Sequence, residues 1–285
     1  MPKALPLALH GLHFFYRFLS PGLPGLAVRL MWQTFRPRRR PLRAEQSQLL
    51  AGAELFSFTS AGALTSKTIR LQGYRWGTGP RTVLLVHGWE GNPADFRELV
   101  PGLLRQGYAV AAFDLPAHGR SEGAETNLVE MKQALVDYTH FAGQPYAVVA
   151  HSLGGTAAAL LLQDAAAPVE KFVFVASPLS APDAFEMVFT QLQVPQSVRR
   201  RFYQRLARHL RQPVEDIAFA PVERLRAHRL LAVYDATDER VVFERVQLYL
   251  AANAAIEPLV VSGVGHNRLL RHAPVVQRIT DFIEA

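Results

Sequence analysis

Six short apolar runs constrain what this chain can fold into more than any other feature: TVLLVH (82–87), YAVAAF (108–113), YAVVA (146–150), KFVFVA (171–176), LLAVYD (230–235) and IEPLVV (256–261). Unbroken runs of Val, Leu, Ile and Phe of this length suit strands covered on both faces, as in a parallel sheet. Helical patterns fall between several of them, over 93–105, 126–141, 153–164 and 243–252, and again at 274–283. Strand and helix in alternation argue for an α/β fold, a doubly wound, mostly parallel sheet flanked by helices with right-handed crossovers. The pattern leaves the strand order open.

One interval breaks the rhythm. Residues 178–228 hold no good strand, yet Phe185, Val188, Phe189 and Leu192, then Val198, Phe202, Leu206 and Leu210, recur at helical spacing. This reads as a helical insertion over the sheet's carboxyl edge, either extra cover for the core or a lid on the crevice where open α/β sheets bind ligands. Ahead of the sheet, residues 1–35 are apolar and aromatic, but Pro6, Arg17, Pro21, Pro24 and Arg29 interrupt them. They fall short of the roughly 18 unbroken apolar residues of a membrane span. They also lack the compact apolar core and small-residue cleavage site of a signal peptide. Short amphipathic helices are expected here, docked on the body of the protein or lying on a membrane surface. RPRRRPLRAEQ (36–46) then reads as a charged connector into a helix near 44–54.

With 285 residues, 49% of them hydrophobic, the chain can bury a full core. It has no cysteine, which excludes disulfides, thiolate zinc sites and cysteine nucleophiles. The expected location is cytoplasmic, with peripheral membrane contact through the N-terminal segment as its extension. The net charge of +7 is uneven, concentrated in Arg36, Arg38, Arg39, Arg40 and Arg43 and again in Arg199, Arg200, Arg201, Arg205, Arg208 and Arg211. Such surfaces attract phosphates or are simply solvated helix faces. No nucleic-acid-binding motif accompanies them, so no nucleic-acid partner is expected. The oligomeric state is left open.

The chemistry is concentrated in VVAHSLGG (148–155), where a strand ends at Ala150 and a helix opens at Gly154-Gly155 with Ser152 on the break. Strand, tight turn and helix in that order make a nucleophile elbow, which holds a serine in strained backbone geometry above the sheet. A serine hydroxyl attacks only when a base takes its proton, so a histidine oriented by a carboxylate must lie within reach. In this kind of fold the order is Ser, acid, His. The loop YDATDERVVF supplies Asp235 or Asp238, and the loop SGVGHNRLL supplies His266. The negative oxygen of a tetrahedral intermediate needs backbone N–H donors. Leu153, after the serine, offers one; Trp89, in the His87-Gly88-Trp89 loop, offers the second. Glu90 and Asn92 are expected to hydrogen-bond within that loop, and Asp114 and His118 to brace the next.

Together these segments resemble the α/β-hydrolase fold family. VHGWEG is similar to its oxyanion loop, DLPAHGRS to its D-x-P-x-H-G-x-S segment, AHSLGG to its elbow, DATDERV to its acid loop and GVGHNRLL to its histidine loop. Spacing and order agree over about residues 66–285. Within the family the compact HGW loop and helical insertion look most like serine esterases and lysophospholipase-like hydrolases. Ala150 stands for the first glycine of G-x-S-x-G, Tyr234 stands where a histidine often precedes the acid loop, and Val242 where a proline often closes it. The resemblance places the acid at Asp238, leaving Asp235 to brace the turn. It implies a division into N-terminal amphipathic helices and basic connector (1–60) and an α/β-hydrolase domain (61–285) with a helical cap at about 178–228. It also implies a serine hydrolase that cleaves a carboxylic ester, lipid-like given the apolar N-terminus and arginines, through an acyl-enzyme on Ser152. Acyl transfer and peptide cleavage by the same triad, or a non-catalytic binding protein on the scaffold, are the alternatives. A small-molecule acyl substrate is expected; no metal and no organic cofactor are.

Overall fold

The computed structural model describes residues 7–34, 36–63, 67–162, 169–219 and 228–285. Its sheet begins with two strands that the search for continuous apolar runs misses, β1 (Glu54–Ala61) and β2 (Thr68–Trp76), paired antiparallel. In β1 only Phe58 and Ser60 are buried, at alternate positions; in β2 Leu71 packs into the core on one face of the sheet and Tyr74 and Trp76 into the core on the other, while Arg70 and Arg75 are exposed. The edge strand β1 needs apolar cover on one face only, so alternation replaces the unbroken run there, and the exposed arginines interrupt the run in β2. The sheet therefore starts at Glu54, ahead of the boundary at residue 60.

The six apolar runs form β3 (Thr82–Val86), β4 (Ala109–Phe113), β5 (Ala147–His151), β6 (Lys171–Val175), β7 (Arg229–Asp235) and β8 (Ile256–Val261). The strand order is β1-β2-β4-β3-β5-β6-β7-β8, parallel from β4 to β8 and antiparallel on the β1 side. After β3 the chain steps to one side to make β4, then crosses to the other to make β5. The crevice at such a reversal lies at the carboxyl ends of the two strands, where open α/β sheets bind ligands. Here those strands are β3 and β5, which carry the HGW loop and the Ser152 turn.

Helices cover both faces. On one lie α5 (Leu128–Ala142) and α6 (Leu153–Leu161), on the other α3 (Ala44–Ala51), α4 (Val100–Arg105) and α10 (Ala273–Glu284). Asn127 starts α5 by accepting the N–H groups of Val129 and Glu130, and Gly143, at φ 84°, ends it. The single helix read over 93–105 is instead a 3-10 turn, Pro93–Phe96, followed by α4. Pro101 has no N–H to give the carbonyl of Arg97, so one helix cannot run through. The sequence reading of 153–164 extends past Leu161 into 163–164, which lie outside the described residues. The helix α9 (Phe243–Ala252) matches its reading.

The insertion is helical, with α7 (Ala181–Gln191), started by Ser180, and α8 (Gln196–Leu210). Its part over 220–227 lies outside the described residues. Val198, Phe202, Leu206 and Leu210 are buried, at the i, i+4, i+8, i+12 spacing that lines one helix face. At the N-terminus come α1 (Leu7–Phe14), a π-helical turn (Phe15–Leu19) and α2 (Pro24–Thr34); α2 packs on α8, and Arg17 of the turn donates to the Gln193 side-chain oxygen at 2.6 Å. Tyr16, Ala27, Val28 and Met31 are buried in the same core, and Trp32 packs edge-on against His209 with ring centres 5.1 Å apart. Among the described residues no helix is long and apolar enough to cross a membrane.

Candidate active site

Ser152 sits between β5 and α6 with φ 52° and ψ −130°, a left-handed conformation that costs a non-glycine residue about 1–3 kcal/mol. Close packing on three sides holds it there. A Cβ on Gly154 would lie 2.2 Å from the His87 carbonyl oxygen, and one on Gly155 would lie 1.8 Å from the Ser177 hydroxyl. The small residues after the serine let α6 start directly against the β3 and β6 loops. Gly88 makes the third approach: a Cβ there would lie 2.8 Å from that of Ser152.

The serine hydroxyl lies 3.0 Å from His266 Nε2, and His266 Nδ1 lies 2.8 Å from Asp238 Oδ2. Three side chains from distant loops thus form one hydrogen-bonded line. His266 and Asp238 keep 7% and 1% of their side-chain surfaces in water, so solvent competes little for these bonds. Asp235, the other acid offered by the sequence, organises backbone instead. It accepts Thr237 N–H at 2.7 Å, the Thr237 hydroxyl at 2.8 Å and Gly263 N–H at 3.2 Å, and it also holds Gly265 N–H. Burial alone would raise its pKa, but the bonds from Gly265 and Thr237 outweigh it and lower the value to about 2. Asp235 therefore ties the acid loop to the histidine loop.

Three buried, neutral histidines frame the line. His87 is pushed down to about 3 by burial and by neighbouring His118. Its Nδ1 bonds the Gly88 carbonyl at 2.8 Å, and its Nε2 accepts Leu115 N–H at 3.0 Å. Burial holds His118 at about 4; it bonds the Pro116 carbonyl at 3.0 Å and accepts Glu90 N–H at 3.0 Å. His151 is lowered to about 3 by burial and by nearby His266, and its Nε2 meets the His266 carbonyl at 3.2 Å. Each nitrogen facing a carbonyl carries the proton, so the neutral form satisfies these contacts. Asp114 braces its loop by accepting the Tyr74 hydroxyl at 3.0 Å and Arg120 N–H at 2.9 Å, its pKa raised by burial.

Leu153 and Trp89 flank the serine, one at the first turn of α6 and the other directly after Gly88. Among the described residues neither backbone N–H has a protein acceptor. Glu90, next to Trp89 and at φ 53°, pairs with Arg40 and accepts Arg38 N–H at 3.3 Å. The basic connector is thereby fastened to the loop beside the serine. Asn92 accepts Ala94 N–H at 3.0 Å and caps the following turn. Three positioning contacts had escaped the sequence reading: the His87 and His151 bonds, and the Arg40–Glu90 pair. His151 occupies a variable motif position, and Arg40 is one arginine in a run; neither carries a local signal. Tyr234, the departure before the acid loop, donates its hydroxyl to the Ser177 carbonyl at 2.8 Å.

The serine opens into a cleft of about 1120 Å³. Its lining includes an aromatic cluster of Trp32, Phe185 and Phe202 with Leu206, and the charged side chains of Arg36, Arg40, Glu90, Glu125 and Arg240. No group of acidic residues and histidines suited to a metal occurs among the described residues.

The fold agrees with the comparisons. A profile of the α/β hydrolase fold matches residues 81–254, and the chain belongs to that family. Among curated relatives, the dihydrolipoyllysine-residue acetyltransferase component of the acetoin cleaving system of Cupriavidus necator is 35% identical over 156 residues, 53% of this chain and 38% of that protein. A pyrethroid hydrolase of Sphingobium wenxiniae is 29% identical over 103 residues, 35% of this chain and 37% of that protein. The matches thus span well under half of these relatives. Among solved structures, the Pyrococcus furiosus esterase Pf2001 superposes with a TM-score of 0.64 at 19% identity, covering 87% of this chain and 98% of that one. At that identity the likeness is one of fold.

Proposed function

We propose that this protein is a serine hydrolase acting on carboxylic esters through an acyl-enzyme. The observation that carries the reading is the continuous line from Ser152 through His266 to Asp238. His266 Nε2 takes the Ser152 proton as Oγ attacks the ester carbonyl carbon, and the carbonyl electron pair moves onto its oxygen. The N–H groups of Trp89 and Leu153 meet that oxyanion. Asp238 holds the imidazole in the required tautomer and stabilises the imidazolium. Collapse breaks the bond to the alcohol, which leaves with the proton from His266, and Ser152 carries the acyl group. Water then gives its proton to His266, attacks the acyl carbon and releases the acid and the free serine.

The apolar cluster of Trp32, Phe185, Phe202 and Leu206 supports an acyl chain of lipid-like length in the cleft. Hydrolysis of p-nitrophenyl esters from acetate to decanoate tests both parts. Wild type should turn over, with kcat/KM rising with chain length, and Ser152→Ala should fall by several orders of magnitude. Equal rates for wild type and Ser152→Ala would overturn the assignment.

Acyl transfer is a second reading, favoured by the acetyltransferase component among the sequence relatives. Adding primary alcohols or thiols to the ester assay distinguishes it: a transferase forms acylated acceptor in place of free acid.

A further inference from the structure

We propose that the outer face of the N-terminal helical hairpin and α8 is a docking surface for an anionic lipid membrane, set directly over the cleft. Five of the eleven large apolar side chains exposed among the described residues fall within one short segment: Phe14, Phe18, Leu19, Leu23 and Leu26, each 45–60% exposed. Phe14 and Phe18 lie one turn apart with ring centres 5.1 Å apart, forming one apolar ridge. The inner face of the same hairpin is occupied, since Tyr16, Ala27, Val28 and Met31 are buried against the protein. The hairpin thus has two apolar faces, and folding covers one of them.

Charge selects the occupant. The chain has no acidic residue before Glu45, and α8 has none along its length. Arg17 and Arg29 on the hairpin are exposed, as are Arg200, Arg201, Arg205 and Arg208 on α8, which packs against α2. An apolar ridge bordered by arginines without counter-charges of their own fits phosphate headgroups above and acyl chains below. A second copy of this chain fits poorly, because a two-fold contact sets the same patch against itself and brings arginine onto arginine.

The surface is continuous with the cleft. Trp32 of α2 and Phe202 and Leu206 of α8 line the cavity from within, while Leu26, Arg29, Arg201 and Arg208 of the same helices face outward. A membrane held on the outer face sits one helix thickness from the apolar cluster. An acyl ester can pass from the bilayer to Ser152 with little apolar surface exposed on the way. This route rests on the esterase reading, whereas the docking does not.

Vesicle flotation of the full chain tests the docking without turnover, so it can fail separately from the esterase reading. Wild type should float with vesicles of phosphatidylcholine containing about one-third phosphatidylglycerol, and much less with phosphatidylcholine alone. Raising salt from about 0.1 M to about 1 M should weaken the binding. Arg201→Glu/Arg208→Glu should reduce the bound fraction at least tenfold, at about fivefold per arginine lost near an anionic surface, and Phe18→Ser/Leu23→Ser should reduce it at least tenfold through the apolar area that no longer enters the bilayer. Hydrolysis of a soluble short ester should stay unchanged in both, which shows that they fold. Absence of wild-type flotation, or flotation equal in wild type and both variants, would overturn the proposal. So would a dimer on gel filtration that the Phe18→Ser/Leu23→Ser variant splits into monomers, because the patch would then be a contact between copies.

Discussion

Gly88→Ala probes how closely the loop after β3 must approach the nucleophile. The added Cβ would lie 2.8 Å from the Cβ of Ser152 and 3.0 Å from the His151 carbonyl oxygen, where ordinary contact begins at 3.4 Å. Neither neighbour can yield easily, since Ser152 is fixed by the turn into α6 and the His151 oxygen belongs to the backbone of β5. The HGW loop must retreat, and it carries Trp89 N–H away from the oxyanion position. Backbone conformation adds no strain of its own, because Gly88 is not among the glycines at positive φ. Loss of one oxyanion donor costs about 10²–10³ in kcat, and misplacement on the order of 1 Å about 10². The expected outcome is a kcat on p-nitrophenyl butyrate lower by about 10², KM changed little, and labelling of Ser152 by a fluorophosphonate slowed in parallel. A folded Gly88→Ala variant with wild-type kcat would refute the placement of Trp89 in the oxyanion site.

The two aspartates should separate cleanly. Asp238→Asn should lower kcat by about 10⁴ with the fold intact, whereas Asp235→Asn should cost about 1–3 kcal/mol in chemical denaturation with a smaller loss of kcat. The reverse pattern would reassign the acid. Because His87, His118 and His151 have folded-state pKa values below their unfolded value, the unfolded chain binds more protons between about pH 6.5 and pH 3. Their contribution is whole above that window and falls as pH drops through it, so denaturation midpoints should decline from pH 7 to pH 5; a flat profile would contradict neutral burial. Arg40→Ala removes an ion pair whose arginine is mostly exposed and should move the unfolding midpoint little, yet lower kcat severalfold by freeing Glu90 beside Trp89. A large drop in midpoint with unchanged kcat would make the contact purely structural.

The central sheet was legible because β3 to β7 are buried on both faces and are apolar between their ends, a signal that survives without any neighbour. β1 and β2 were not, since the edge strand β1 is covered on one face only and the exposed Arg70 and Arg75 interrupt the apolar residues of β2. The nucleophile was legible for a similar reason: strand, serine and glycines lie within one short stretch, and the turn they form is local. The choice between Asp235 and Asp238 is not local, because it depends on which carboxylate points at a ring twenty-eight positions from Asp238 in the chain. The N-terminal helices showed their amphipathic pattern but not their partner. Docking on α8 is decided by Trp32, Phe202 and His209 meeting across some 170 residues.

Intact-protein mass spectrometry during turnover of a slowly deacylating p-nitrophenyl ester tests the catalytic claim most directly. One added acyl mass per chain is expected, mapped to Ser152, absent in Ser152→Ala and formed far more slowly in His266→Ala. Steady turnover with no such adduct, or an adduct on another residue, would contradict it.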